Sequence, residues 1–216
     1  MNRGELKNEF RTRVFDTVKP YLWPDKEIDP WFAEAEAEAA IRSRLILDTE
    51  EFGFAAGDSP RIDLPSALFD IQYAELRDAS GNAYPIEPSS RGDQDKYNRK
   101  WRQNIERPTF YIHDDKALVL NAIPDQAYTL YIEFFRKPSN AMADDNESPE
   151  IAEIHHLGLV DWVEYRAYSK PDVDAFNPGK AKDAEGRFIA SFGKRPSADL
   201  RRRQNANRPH RNRLHS

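Results

Sequence analysis

Apolar residues open the chain at strict i, i+4 spacing: Leu6, Phe10, Val14, Val18 and Leu22. Residues four apart share one face of a helix, so this spacing predicts an amphipathic helix of about five turns over 4–22. Pro20 is expected to kink its end and Trp23-Pro24-Asp25 to stop it, because proline lacks an N–H and crowds the preceding turn. Asp29-Pro30 reads as an N-cap followed by proline at the first helical position, which opens a second helix running to about Leu47. Ala and Glu dominate that helix, and both are strong helix formers. Its small residues Ala35, Ala37, Ala39 and Ala40 leave room for a close neighbouring helix or subunit.

Gly53 to Pro60 reads as a loop, and the period then changes to two. Alternation from Phe69 to Leu76 predicts a strand, Asp78-Ala79-Ser80-Gly81-Asn82 a turn, and Ala83 to Pro88 a return strand. Residues 91–104 read as a short polar helix or excursion. Further strands are expected at Thr109 to His113, Ala117 to Leu120 and Tyr128 to Phe135. The turns between them are Asp114-Asp115-Lys116 and Pro124-Asp125-Gln126. Four or five strands joined by such short turns should be antiparallel. Lys137 to Glu147 is a linker.

The stretch Ser148 to Tyr168 organises the rest. Ser148 suits an N-cap, and Pro149 and Glu150 suit a first turn. Ile151, Ile154, Leu157, Leu159, Val160, Trp162, Val163, Ala167 and Tyr168 then surround most of a helix, which predicts an element packed on several sides. Asn177-Pro178 opens a last helix through Phe188 and Phe192, closed by Gly193. The expected common core is Phe10, Val14, Val18, Phe32, Leu45, Ile154, Leu157, Trp162 and Phe188. The fold class expected is α+β: an antiparallel helical bundle around a central helix in the C-terminal half, an inserted antiparallel β subdomain, and an extended C-terminal arm. The divisions expected are 1–60, 61–137, 138–193 and 194–216.

Composition narrows the chemistry. The 216 residues suffice for one domain with an inserted subdomain, 39% are apolar, and none is cysteine. Disulfides, thiolate catalysis and cysteine-based zinc sites are therefore excluded. No run of about 18 apolar residues predicts a membrane span, and MNRGELKNEF lacks the apolar core of a signal peptide. The net charge of −5 hides an asymmetry. Lys194 to Ser216 holds eight basic residues and one acidic, a net of +7, while the remainder holds 24 basic and 36 acidic, a net of −12. A basic segment on an acidic body suits contact with phosphate or an acidic protein surface. Pro196 to Ser216 has almost no apolar residues and is not expected to fold alone.

Catalytic candidates are few. His155 and His156 are adjacent, so on a helix they diverge by about 100° and cannot share a metal as an i, i+4 pair would. His113 stands beside Asp114 and Asp115, and reads as a surface or packing histidine. No GxSxG, HExxH, Walker loop or GxGxxG is present. Asp144, Asp145, Glu147 and Glu150 read as a solvated acidic run, and Arg91-Gly92-Asp93 as a polar loop. The expectation is no enzyme, no metal and no cofactor. An enzyme built on His113 or His155 would need those groups to converge with carboxylates in a pocket.

Read in series, the chain resembles the head–tail connector adaptors of tailed bacteriophages. The resemblance rests on Leu22-Trp23-Pro24-Asp25 after a first helix, an Ala/Glu-rich second helix, and Asp63-Leu64-Pro65 before the sheet. It continues through NAIPDQAYTLYIEFFRKP (Asn121 to Pro138), then Glu150-Ile151 to His155-His156-Leu157 and Leu159-Val160-Asp161. Asp174, Pro178, Lys180-Ala181 and Phe192-Gly193 complete it. It implies a non-enzymatic virion protein at the head–tail interface, assembled in the host cytoplasm. It also implies a homo-oligomeric ring, a dodecamer, beneath a portal protein and above a tail or nozzle protein, with the C-terminal segment clasping the portal. Arginine's planar fork pairs bidentately with carboxylates, so Arg201, Arg202, Arg203, Arg208, Arg211 and Arg213 are the expected portal contacts. Contact with packaged DNA is a further expectation, and a membrane is not. The alternative is a nucleic-acid-binding protein whose Arg-rich tail makes nonspecific phosphate contacts.

Overall fold

The first helix, α1 (Arg3–Val14), opens with a capping box, in which the Asn2 side chain accepts from Glu5 N at 2.8 Å and the Glu5 carboxylate accepts from Asn2 N at 3.0 Å. It stops early, at Phe15 in the left-handed region (φ 60°). Asp16 explains the stop. Its carboxylate takes Arg11 Nη1 at 2.8 Å, Leu22 N at 2.9 Å and Trp23 N at 3.3 Å, which folds the chain back. Pro20 in turn could not continue a helix. Val18 and Leu22 therefore lie exposed in the α1–α2 connection, not in the core expected for them.

This is a computed structural model, and it describes residues 1–114 and 116–196. Helix α2 (Asp25–Ser43) begins directly after Pro24, so Pro30 is interior and Asp29 is not a cap. Asp29 instead meets Lys7 Nζ at 3.2 Å. The helix ends at Ser43, with Arg44 left-handed (φ 54°), short of the expected Leu47. The chain then enters β1 (Leu47–Phe54), a strand where the sequence suggests a helix end and a loop.

The central helix, α4 (His156–Ser169), starts eight residues later than Ser148, after one 3-10 turn at Glu153–His155. Glu36 on α2 is the reason. It is buried, and its Oε1 accepts from the amides of Glu150 and Ile151, which claims those donors for a contact outside the helix. Ile154 (86% exposed) and Leu157 are consequently surface residues, contrary to expectation. From Leu159 to Glu164 every residue of α4 is buried, so this helix is enclosed as its apolar surround suggests. Helix α5 (Pro178–Phe192) follows the expected signals: Asn177 accepts from Lys180 N at 3.0 Å, and Gly193 takes φ 78°.

Two compact units result. One comprises Met1–Ile46 with Arg136–Arg195, the other Leu47–Phe135. In the first, α4 packs against α1, α2 and α5. Met1 N meets His156 Nδ1 at 3.0 Å and Arg13 on α1 meets Asp161 and Glu164, whereas Glu27 meets Lys170 and Glu34 meets Arg166, so α1 runs with α4 and α2 against it. Gly158 faces Phe192 and Asp161 faces Arg187, so α5 also runs against α4. The core joins Leu6, Phe10, Phe32, Leu159, Val163, Trp162 and Phe188, with Val14 and Leu45 at its margin.

The second unit holds two four-stranded sheets. The remaining strands are β2 (Arg61–Asp63), β3 (Leu68–Asp78), β4 (Ala83–Pro85), β5 (Glu87–Pro88), β6 (Phe110–Asp114), β7 (Ala117–Leu120) and β8 (Tyr128–Arg136). The orders are β1-β8-β3-β4 and β2-β7-β6-β5. Pairing is antiparallel for β1 with β8, β3 with β4, β2 with β7 and β6 with β7, but β5 joins β6 in parallel. Strand β8 turns Tyr128, Leu130, Ile132 and Phe134 inward at period two, where they join Leu76, Leu118 and Leu120 in a second core. Between β5 and β6 the chain makes the short helix α3 (Arg91–Tyr97) and one 3-10 turn at Trp101–Gln103. The class is α+β, as the sequence indicates.

Candidate functional site

The expected contact residues, Arg201, Arg202, Arg203, Arg208, Arg211 and Arg213, all lie outside the described residues. The structure does describe where the segment that carries them begins. At the end of α5, Ser43 Oγ donates to the Phe192 carbonyl at 2.9 Å, and Arg42 Nη1 reaches the Gly193 carbonyl at 3.4 Å. Arg195 Nη1 then pairs with Glu38 Oε1 at 2.9 Å. Glu38 is itself buried and takes Arg42 Nε on its other oxygen at 3.0 Å. The Arg42 guanidinium stacks over the rings of Trp162 and Phe188, 4.9 and 5.1 Å from their centroids. Two arginines on one partly dry carboxylate, backed by an aromatic floor, fix the root of the basic segment to the last turns of α2 and α5.

Charge is also built into the interior of the helical unit. Arg3, Lys7 and Arg11 form a buried basic stripe on α1 beside the Leu6–Phe10 stripe. Lys7 Nζ reaches Asp145 at 2.6 Å, and Arg3 Nε reaches it at 2.9 Å. The Lys7 hydrogen bond, ahead of the cost of burial, holds the Asp145 carboxyl below the ordinary aspartate range. A second cluster joins Asp161 and Glu164 of α4 to Arg187 at 2.8 and 2.6 Å, with Arg13 completing it at 3.3 and 3.5 Å. Burial pushes the Glu164 carboxyl up despite both arginines, with help from the like charge of Asp161. These clusters tie α1, α4 and α5 together, and α1 to the segment before α4.

The histidines do not converge. His156 is buried, with its Nε2 2.9 Å from the Ile151 carbonyl, while the His155 ring lies against Phe192 at 5.9 Å. His113 belongs to β6 of the other unit. Among the described residues, no three His, Asp or Glu side chains are grouped to hold a metal, and no helix is long and apolar enough to cross a membrane.

Exposed apolar groups are the surface feature that sequence reasoning missed. Phe15 (89% exposed), Val18 and Leu22 occupy the α1–α2 connection, and Val173 (100%) and Phe176 the α4–α5 connection. Both connections lie at one end of the helical unit, where Trp23 meets Tyr168 edge-on at 5.6 Å. Pro20, read as a stop and not a kink, was the signal that would have freed Val18 and Leu22 from the core. Large apolar side chains gathered at one end of a folded unit, uncovered by the described residues, mark a surface suited to a partner.

The SU10 adaptor protein family profile matches residues 1–213. No curated protein sequence matches the chain. Among solved structures, a chain from the neck of an empty gene transfer agent particle, computed with C6 symmetry, is 17% identical. That match covers 91% of this chain and 96% of its own, at a TM-score of 0.28, and a likeness of that depth supports no residue-level assignment. A match along almost the whole sequence, over a fold of the α+β class that the serial motifs imply, places the chain in the SU10 adaptor protein family of structural head–tail adaptors.

Proposed function

We propose that this protein is a ring-forming virion component of the head–tail interface, assembled in the host cytoplasm. It docks beneath a portal as a dodecamer and joins it to a tail or nozzle protein. The family match over residues 1–213 carries this reading. The exposed apolar end of the helical unit supports it, because ring neighbours would cover surface that a lone subunit leaves wet. The basic segment beyond Arg195 clasps the portal through Arg201, Arg202, Arg203, Arg208, Arg211 and Arg213. Its root on Glu38 supports that role, since a fixed origin limits the volume the arm must search. The role is structural, with no catalytic step.

Native mass spectrometry of the purified protein with and without portal tests the proposal. Rings of uniform stoichiometry on the portal are expected. A monodisperse monomer that ignores the portal overturns it. The +7 charge of the tail favours one second reading, nonspecific nucleic-acid binding by a monomer or dimer. Salt-sensitive DNA affinity without any ring would establish that reading instead.

A further inference from the structure

The excursion between β5 and β6 inverts the charge of the acidic body. From Lys96 to Arg107 stand five basic residues and one acidic. Its tip, Lys96-Tyr97-Asn98-Arg99-Lys100, is exposed at every position, and Tyr97 is 85% exposed. Arg99 and Lys100 make no ion pair among the described residues, and Lys96 only a long, solvent-exposed one to Asp93 at 3.6 Å. A shallow concavity lined by Gly92, Asp95, Lys96 and Arg99 lies on the same excursion.

The tip is nevertheless held in place. Trp101, directly after it, is buried and donates Nε1–H to Asp95 Oδ1 at 2.8 Å, and Arg102 Nη1 donates to the same oxygen at 2.8 Å. Asn98 N–H closes α3 on the Gln94 carbonyl at 2.9 Å, while the Asn98 side chain accepts from Lys100 N at 2.9 Å. Asp95 therefore spends its charge on Arg102 and Trp101, which leaves Arg99 and Lys100 without an ion pair among the described residues and Lys96 with only its long, exposed one to Asp93. Cations on a short, pinned turn around a bare aromatic ring suit a phosphodiester backbone. The ammonium and guanidinium groups meet phosphates, and the ring lies on a sugar or base. An acidic protein surface would satisfy the cations as well, but a nucleic acid presents a phosphate and a flat base at every nucleotide, so one short tip meets both at once.

We infer that Lys96, Arg99 and Lys100, with Tyr97 between them, form a nucleic-acid contact on the β unit, separate from the C-terminal arginines. This inference stands on the tip alone and does not require the adaptor reading. Fluorescence anisotropy with a short duplex DNA and with oligothymidylate tests it on the full chain. The background carries Gln in place of the six arginines from Arg201 to Arg213, so that the tail does not mask the tip.

Lys96→Glu, Arg99→Glu and Lys100→Glu together are expected to weaken binding tenfold or more at about 0.1 M salt. Loss of three phosphate contacts also makes the slope of log affinity against log salt shallower by roughly two to three. The neutral triple variant, with Gln at the same positions, must show the same direction, which separates lost contact from new repulsion. Tyr97→Ala is expected to weaken oligothymidylate several-fold, and a smaller effect on duplex would mark stacking on an unpaired base. Unchanged affinity and slope in the triple variants overturn the inference. So does polyglutamate binding as tight as DNA and indifferent to Tyr97→Ala, which would reassign the tip to an acidic protein partner.

Discussion

Gly158 faces the ring of Phe192 so closely that a Cβ there would lie 2.8 Å from Cε2 and 2.9 Å from Cζ. Phe192 cannot give way easily, because it is buried and packs on Phe188 at 4.7 Å. Alanine ordinarily gains about 1 kcal/mol over glycine inside a helix, but overpacking a tight core costs about 1–3 kcal/mol. Gly158→Ala should therefore lose about 1 kcal/mol net, and a raised urea midpoint would show the contact to be slack. Glu36 offers a test with pH. It is 1% exposed, and burial lifts its carboxyl above the usual 4.5, outweighing the two amides that stabilise the anion. The folded chain then binds more protons than the unfolded one from 4.5 upward, so this group lowers stability as pH rises through that window. Glu36→Gln keeps an oxygen for the Glu150 and Ile151 amides and does not titrate. Wild type should lose stability relative to Glu36→Gln between about pH 4.5 and the elevated folded value. Urea midpoints of both proteins across that range check this, and a relative gain with rising pH would refute it.

Helix α1 shows why some elements are legible in sequence and others are not. Its apolar stripe was readable, and so were the caps of α5 and the alternation of β8, because each rests on residues within one turn or one strand. Its length was not. The stop at Phe15 depends on Asp16 turning back to Arg11 and to the amides of Leu22 and Trp23, a tertiary arrangement that spacing cannot encode. The same holds for α4, whose late start follows from a carboxylate more than a hundred residues away. Pro30 misled because proline is tolerated at a first helical position, whereas here the preceding turn is also helical. The exposed Phe15, Val173 and Phe176 were illegible for the complementary reason: pattern assigns large apolar residues inward, and only coordinates reveal those left outside. Arg11 makes the point experimentally. Its fork holds Asp16, Asp25 and the Trp23 carbonyl at once, and its plane lies 3.5 Å over the Tyr21 ring. Arg11→Ala strands the buried Asp16 and should cost about 3–5 kcal/mol. Arg11→Lys should recover little of it, since an ammonium cannot serve three acceptors set out for a planar fork. Equal urea midpoints for Arg11→Lys and wild type would show that charge alone suffices.

At the scale of the whole molecule, the sequence divides into an acidic body, −12 over residues 1–193, and a basic tail, +7 over 194–216. Among the described residues both cores are closed by helices and strands, and Arg195 pairs with Glu38 just before the tail. Removing 197–216 should leave the melting temperature of the isolated subunit nearly unchanged. In the proposed assembly the same deletion should sharply weaken portal attachment. Six arginines are lost at once, and although each exposed pair gives only about 0–1 kcal/mol, their effects multiply around a ring. Exposed charges are screened over about 8–10 Å near physiological ionic strength, so added salt should weaken the wild-type complex more than the truncated one. Co-sedimentation of subunit and portal across a salt series measures both effects. Equal attachment by the truncated and full chains would show that the ring is held by the exposed apolar end of the helical unit instead, because burial of apolar area is largely insensitive to moderate salt. Loss of attachment with the melting temperature unchanged would leave the arm as an anchor that contributes nothing to the fold it springs from.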